Sequence, residues 1–200
     1  MRILLIGASG TVGQAVAGAL APHHELIRAG RQSGDVRVDL TDMASVERMY
    51  AEVGELDAVV TAAGSVHFGD LADTTPAQFM SGLQDKLMGQ VNAVIAGIPH
   101  LRDGGSFTLT SGILAEEPIK QGTNATTVNA AIEGFVRSAA TELPRGLRIN
   151  AVSATVLTEA LDAYGPYFPG FEAVDGARVG KVYRRSVEGV GTGRVFKIWQ

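Results

Sequence analysis

The chain contains no cysteine in 200 residues. Disulfides, thiolate-held zinc and a cysteine nucleophile are therefore excluded, and a reducing, cytoplasmic setting is expected. Histidine is scarce too, at four residues, and His23 and His24 stand together in what reads as a solvated loop. No His-Glu-x-x-His run and no tight carboxylate cluster is present, so no metal site is expected. Aromatic residues make up 6% of the chain. Apolar runs are all shorter than about 18 residues, which leaves no candidate for a membrane-spanning helix. Met1 leads directly into an apolar segment, so a cleavable leader is not expected. The net charge of −4 argues against nucleic acid as a partner.

Hydrophobic residues are plentiful, at 46%, and glycine is abundant, at 25 residues. That is enough to bury a substantial core within one domain spanning 1–200. Short apolar runs alternate with amphipathic ones. Periodicity predicts strands at 2–6, 25–29, 35–38, 57–61, 105–110, 147–152 and 194–198. Helices are predicted at 11–21, 42–53, 76–98, 124–142 and about 174–188, with a short one after Thr158. Thr41-Asp42 and Thr74-Thr75-Pro76 read as helix starts. The order implies an α/β fold of the Rossmann type, doubly wound, with about seven parallel strands and helices on both faces. One stretch, 162–172, breaks the pattern with Gly and Pro while carrying several aromatics. A loop of this kind at the carboxyl end of a strand covers a ligand crevice.

The segment Gly7-Ala8-Ser9-Gly10-Thr11-Val12-Gly13 follows the first strand directly. Its glycines permit a tight turn and close approach of backbone to a pyrophosphate. The helix opening near Thr11 offers free N–H groups and the positive end of its dipole. The spacing is Gly-x-x-Gly-x-x-Gly rather than Gly-x-Gly-x-x-Gly. The strand before it and the helix after it make the unit βαβ, as dinucleotide binding requires.

Taken in order, these segments resemble the short-chain dehydrogenase/reductase family over nearly the whole chain. The glycine loop corresponds to 7–13, with Gly7, Ser9, Gly10, Thr11, Val12 and Gly13 as implied cofactor ligands. The family's adenine-contacting acid falls on Asp39, followed by Leu40. Its Asn-Asn-Ala-Gly segment becomes Thr61-Ala62-Ala63-Gly64. Its catalytic Ser falls on Ser111, and its Ala-Ala-Leu-x-Gly-Phe run on Ala130-Ala131-Ile132-Glu133-Gly134-Phe135. The resemblance implies hydride exchange between a nicotinamide cofactor and a small carbonyl or alcohol. The likeness breaks at the family's Tyr-x-x-x-Lys pair. The Tyr position holds Ala125 and the Lys position Asn129. In the family the Tyr hydroxyl is general acid or base, and the Lys lowers its pKa and holds the nicotinamide ribose. Asn129 retains only the capacity to hydrogen-bond that ribose. The family's helical Asn corresponds to Lys86. The chain is also shorter than the family's usual length, chiefly where the family builds its substrate lid.

The second strand runs into Arg28-Ala29-Gly30-Arg31-Gln32-Ser33, with no acid before Asp35. A carboxylate there would accept a ribose hydroxyl, whereas Arg31 suits a 2′-phosphate, so NADP is expected in preference to NAD. Candidate proton partners are Lys86, pointing toward the vacant Lys position, and Lys120, nine residues beyond Ser111. Tyr164, Tyr167 and His67 are further candidates, though the tyrosines read more readily as lid packing and His67 as an ordinary loop residue. Two functions remain open on the sequence. One is an NADP-dependent oxidoreductase with a degenerate centre; the other is a non-catalytic NADP(H)-binding sensor or scaffold. The small, apolar face of 125–140 (Ala130, Ala131, Gly134, Phe135, Ala139) suggests a homodimer or homotetramer.

Overall fold

The computed structural model describes residues 1–199. Seven parallel strands form one sheet in the order β3-β2-β1-β4-β5-β6-β7. They are β1 (Arg2–Ile6), β2 (Glu25–Gly30), β3 (Val36–Arg37), β4 (Leu56–Thr61), β5 (Leu101–Thr110), β6 (Arg148–Ala154) and β7 (Val195–Ile198). The order reverses between β1 and β4, which opens a crevice at the carboxyl ends of those strands. Helices α1 (Thr11–Leu20) and α7 (Gly176–Glu188) cover one face. Helices α2 (Met43–Val53), α4 (Gly89–Gly97) and α5 (Thr123–Ala139) cover the other. Strand β1 shows why both faces fill. Ile3 and Leu5 enter the cluster under α1 and α7, while Leu4 and Ile6 enter the opposite one, with all four buried.

The predicted elements recur with shifted ends. Asp42 caps α2, its side chain accepting the Ala44 N–H at 3.0 Å. Thr75 and Gln78 form a capping box with Pro76 in the first turn of α3 (Pro76–Gly82). The long helix predicted over 76–98 is not uniform. A π-helical stretch, Leu83–Met88, separates α3 from α4. The predicted strand at 35–38 shrinks to two residues at the sheet edge, where a single neighbour supplies all its pairing. The fifth strand starts four residues early, at Leu101, across an irregularity in its register with β4. After Thr158 a short 3₁₀ turn leads into α6 (Leu161–Tyr164). The histidine loop is less solvated than its polarity suggested. His24 pairs with Glu188 at 2.9 Å and its side chain is only 9% exposed, because α7 packs along α1 and closes over the turn that follows it.

Candidate active site

The loop after β1 is shaped by sterics. Gly7 takes φ +88°, and a Cβ there would lie 2.6 Å from the Ala62 carbonyl oxygen. A Cβ on Gly13 would lie 2.0 Å from the Gly7 carbonyl oxygen. Only glycine at both places lets β1, the loop and α1 meet at this spacing. No side chain caps α1 at Gly10, and no acid stands in its first turn. Its leading N–H groups are therefore left to a ligand, and the helix dipole favours an anion there. Thr11 and Val12 face the same crevice.

Beside this loop a cavity of about 360 Å³ runs toward β2. Gly7, Ser9, Gly10, Arg31, Leu40 and Ala62–Gly64 line it, together with Asp85. The Arg31 guanidinium bonds Asp39 at 3.2 Å and Asp85 at 3.3 Å. Asp39 does not line the cavity. Its carboxylate accepts from the Thr41 hydroxyl at 2.7 Å and the Thr41 N–H at 3.0 Å. Those bonds, with Arg31, hold its pKa below the ordinary value. Asp39 thus connects to the cavity only through Arg31, which it shares with Asp85. Asp85 accepts from the Ser65 N–H at 2.8 Å and from the Ser65 hydroxyl.

A larger cavity, about 510 Å³, opens over the carboxyl ends of β4, β5 and β6. Lys86 and Asn129 meet in it. Lys86 Nζ donates to Asn129 Oδ1 at 2.7 Å. Burial lowers the Lys86 pKa from 10.5 to about 8, because desolvation penalises the ammonium. The π-helical stretch carries this residue, and its widened turn brings the side chain to α5. Gly64 lies directly beneath. A Cβ at Gly64 would come 2.6 Å from Lys86 Cα.

Ser111 is buried and faces a neighbouring 200 Å³ cavity that shares Lys86 and Gly64 with the larger one. Its hydroxyl donates to Glu133 Oε1 at 2.8 Å, so toward a ligand it presents lone pairs only. Glu133 sits one turn beyond Asn129 on α5, is itself buried, and has Arg137 3.8 Å away. Thr155 Oγ1 is buried with no hydrogen-bond partner, and Thr155 lines both cavities. Such a group is costly unless a ligand completes it. Gln90, fully buried, stitches the floor. Its side-chain oxygen accepts from Thr61 Oγ1 at 2.6 Å and the Thr110 N–H at 2.8 Å.

The structure thus gathers Lys86, Asn129, Ser111 and the glycine loop, but not every candidate. Lys120 is exposed and lines neither cavity, because its loop turns outward after β5. His67 is absent from the lining as well, its backbone N–H being held by Asn124 Oδ1 at 2.9 Å. Tyr164 reaches the larger cavity, while Tyr167 packs on Phe68 at 5.2 Å. Tyr183 is poorly placed as a proton donor, since burial pushes its pKa up and its hydroxyl is tied to Thr110. Sequence reading passed over Glu133, Thr155 and Gln90. Only Glu133 carried a signal, its spacing of four from Asn129. Among the described residues no cluster of metal-ligating side chains occurs.

Residues 12–183 match the family model described as enoyl-(acyl carrier protein) reductase. The protein lin1944 from Listeria innocua is 48% identical and superposes with a TM-score of 0.98 over 100% of both chains. A small-chain dehydrogenase solved in complex with NADPH is 25% identical, with a TM-score of 0.89 over 99% of this chain and 96% of that one. Versicolorin reductase 1 from Aspergillus parasiticus is 30% identical over 136 residues, 64% of this chain and 52% of that protein. The chain spans about half the length of the curated relatives it matches.

Proposed function

The chain belongs to the short-chain dehydrogenase/reductase family, and from that premise we propose an NADP(H)-dependent oxidoreductase of small carbonyls or alcohols in which Lys86 supplies the proton. One observation carries this reading: the two exchanged side chains touch. Where the family places a Lys this chain has Asn129, and where it places an Asn this chain has Lys86. Their contact at 2.7 Å keeps an ammonium beside the nicotinamide ribose position although its residue has moved to another helix.

The residues present fit the cofactor. The glycine loop and the free start of α1 suit the pyrophosphate. Arg31 suits the 2′-phosphate, and the unpartnered Thr155 hydroxyl suits the carboxamide end. The NADPH bound to the 25% identical dehydrogenase supports the same choice. Bound NADPH supplies a hydride. The chain's part is to deliver a proton to the carbonyl oxygen, so that one hydride from the cofactor and one proton from the protein together convert the carbonyl to the alcohol. Lys86 holds that proton as an ammonium, and Asn129 accepts one of its three N–H bonds, leaving two for ribose and substrate. A pKa near 8 places the donor close to working pH, where general acids are most effective. Ser111 does not polarise the carbonyl in this arrangement, because its proton is committed to Glu133.

The test is a fluorescence titration with NADPH and NADH, followed by a carbonyl panel read at the NADPH absorbance. Consumption that depends on Lys86 supports the reading. Tight binding with no consumption favours the sensor alternative, to which the Ala125 substitution and the turned Ser111 proton also point. For the cofactor, Arg31→Ala is expected to weaken NADPH about 10–100-fold, as loss of a charge-assisted pair does, and NADH only slightly. Equal losses would overturn the NADP assignment.

The same reading extends to assembly. Ala130 and Gly134 are exposed on α5, and Met88 and Ile95 are exposed on the π-helical stretch and on α4, whereas Phe135 and Ala139 turn inward to the core. We infer a homodimer or homotetramer through the outward residues. Light scattering should show more than one chain per particle, and Gly134→Arg should reduce that number. A cytoplasmic location is proposed on the cysteine-free composition; no helix among the described residues is long and apolar enough to cross a membrane.

A further inference from the structure

The chain is poor in aromatics, with seven Phe, four Tyr and one Trp. Half of them collect at one corner. Phe68, Tyr164, Tyr167, Phe168, Phe171 and Trp199 cluster at and behind the mouth of the 510 Å³ cavity. Phe68, Phe168, Phe171 and Trp199 pack against the small buried cluster of Ile113, Leu114 and Ala125, apart from the two clusters on the sheet faces. The rings of the true core, Tyr50, Phe107 and Tyr183, are at most 1% exposed. Those at the mouth are only partly buried, and Tyr164 is 45% exposed. Phe68, Tyr164 and Phe168 all line the cavity. Ile113, Leu114, Val156 and Leu157 line it too. Ala125 is in the lining too. Lys86 is the one charged residue in the lining.

We propose that the substrate is a neutral ketone whose carbonyl is joined to a flat ring, an aryl ketone by chemical class. The inference rests on the oxidoreductase reading. The carbonyl oxygen faces the Lys86 ammonium, and the ring lies in the cavity against the apolar wall that Phe68 and Phe168 share. A single cation already engaged with the reacting oxygen leaves no partner for a carboxylate or phosphate elsewhere on the substrate. An ionic substituent would have to be desolvated against apolar walls with nothing to pair it. A flat ring, by contrast, can stack against or meet the edges of half-buried aromatics and cover apolar surface that is otherwise wet.

The experiment compares acetophenone, cyclohexyl methyl ketone, 2-octanone and pyruvate at saturating NADPH. The expected order in kcat/KM is acetophenone, then the alicyclic ketone, then 2-octanone, with pyruvate lowest by at least about 100-fold. Phe168→Leu keeps apolar volume but removes the ring. It should raise KM for acetophenone about 3–10-fold, leave kcat within about twofold, and leave KM for 2-octanone unchanged. Phe68→Leu serves if the first variant fails to fold. A preference for pyruvate or for the open-chain ketone overturns the inference, as does a leucine variant that shifts both ketones alike. If no ketone consumes NADPH, the oxidoreductase reading fails on its own. Equilibrium dialysis of the same four compounds against the NADPH-saturated protein then decides the ring preference separately: selective retention of acetophenone upholds it, and equal or no retention overturns it.

Discussion

Lys86→Met is expected to lower kcat for NADPH-dependent carbonyl reduction by about 10²–10⁴-fold, the range that loss of a general acid produces. Methionine preserves length and apolar stem, so the cavity keeps its shape. Lys86→Arg is the sharper companion. A guanidinium retains the charge and can still bond the ribose, but it does not release its proton near neutrality. NADPH affinity should therefore be largely retained in the arginine variant while kcat stays low. If Arg restores kcat, Lys86 acts through charge alone and the proton comes from elsewhere. The pH dependence has a definite sign. The acid form is needed for reduction, so kcat should be level below about pH 8 and fall above it as the ammonium deprotonates. Stability should run the other way. The folded pKa lies below the unfolded value of 10.5, so between about pH 8 and 10.5 the unfolded chain binds more protons. Stability contributed by this group then rises with pH across that window. Below it the fold carries the full cost of a desolvated ammonium. Removing that cost in Lys86→Met is expected to raise Tm by roughly 2–4 °C at pH 7, alongside the loss of activity. Thermal melts of wild type and variant at pH 7 and pH 10 check this, since the gap between them should close at the higher pH.

The parallel sheet was legible because its signals are local. An apolar run such as Arg2–Ile6, a glycine loop and a capped helix each declare themselves within a few residues. The shape of the glycine loop was legible for the same reason: Gly7 and Gly13 are six residues apart and their constraint is steric. The chemistry was only half legible. Counting along the chain set Ala125 and Asn129 where the resemblance puts Tyr and Lys, and it offered both Lys86 and Lys120 as proton partners. What separates them is the π-helical stretch at Leu83–Met88, which aims one inward, and the outward turn after β5, which leaves the other in solvent. Neither feature has a reliable signature in sequence. The acceptor of the Ser111 hydroxyl was not legible, because Glu133 lies 22 residues away on another element. Thr155 could be read as a needy hydroxyl only once its neighbours were in place and none of them bonded it.

Gly13→Ala should abolish measurable nucleotide binding while Gly18→Ala, five residues along the same helix, should stabilise the protein. The two substitutions add the same methyl group and differ only in what it meets. At Gly13 the new carbon would lie 2.0 Å from the Gly7 carbonyl oxygen and 2.8 Å from Ala8 Cα, both backbone atoms. Backbone cannot swing aside as a side chain does. Either α1 retreats from the loop or the loop opens, and in both cases the N–H groups that face the pyrophosphate are displaced. Overpacking of this kind costs about 1–3 kcal/mol, or very roughly 2–12 °C in Tm for a chain of this size. The effect on binding should be larger than the effect on folding, about 100-fold or more in Kd, because every loop contact to the phosphates depends on one geometry. At Gly18 an added carbon meets nothing within 4 Å, and the position is exposed in the helix interior. Alanine there gains helix propensity and restricts the unfolded chain, together worth up to about 1 kcal/mol. NADPH titration and a thermal melt on both variants read the two effects independently. A Gly13→Ala protein that binds NADPH as the wild type does would mean that the nucleotide does not use this loop, and the proposed cofactor site would have to be abandoned.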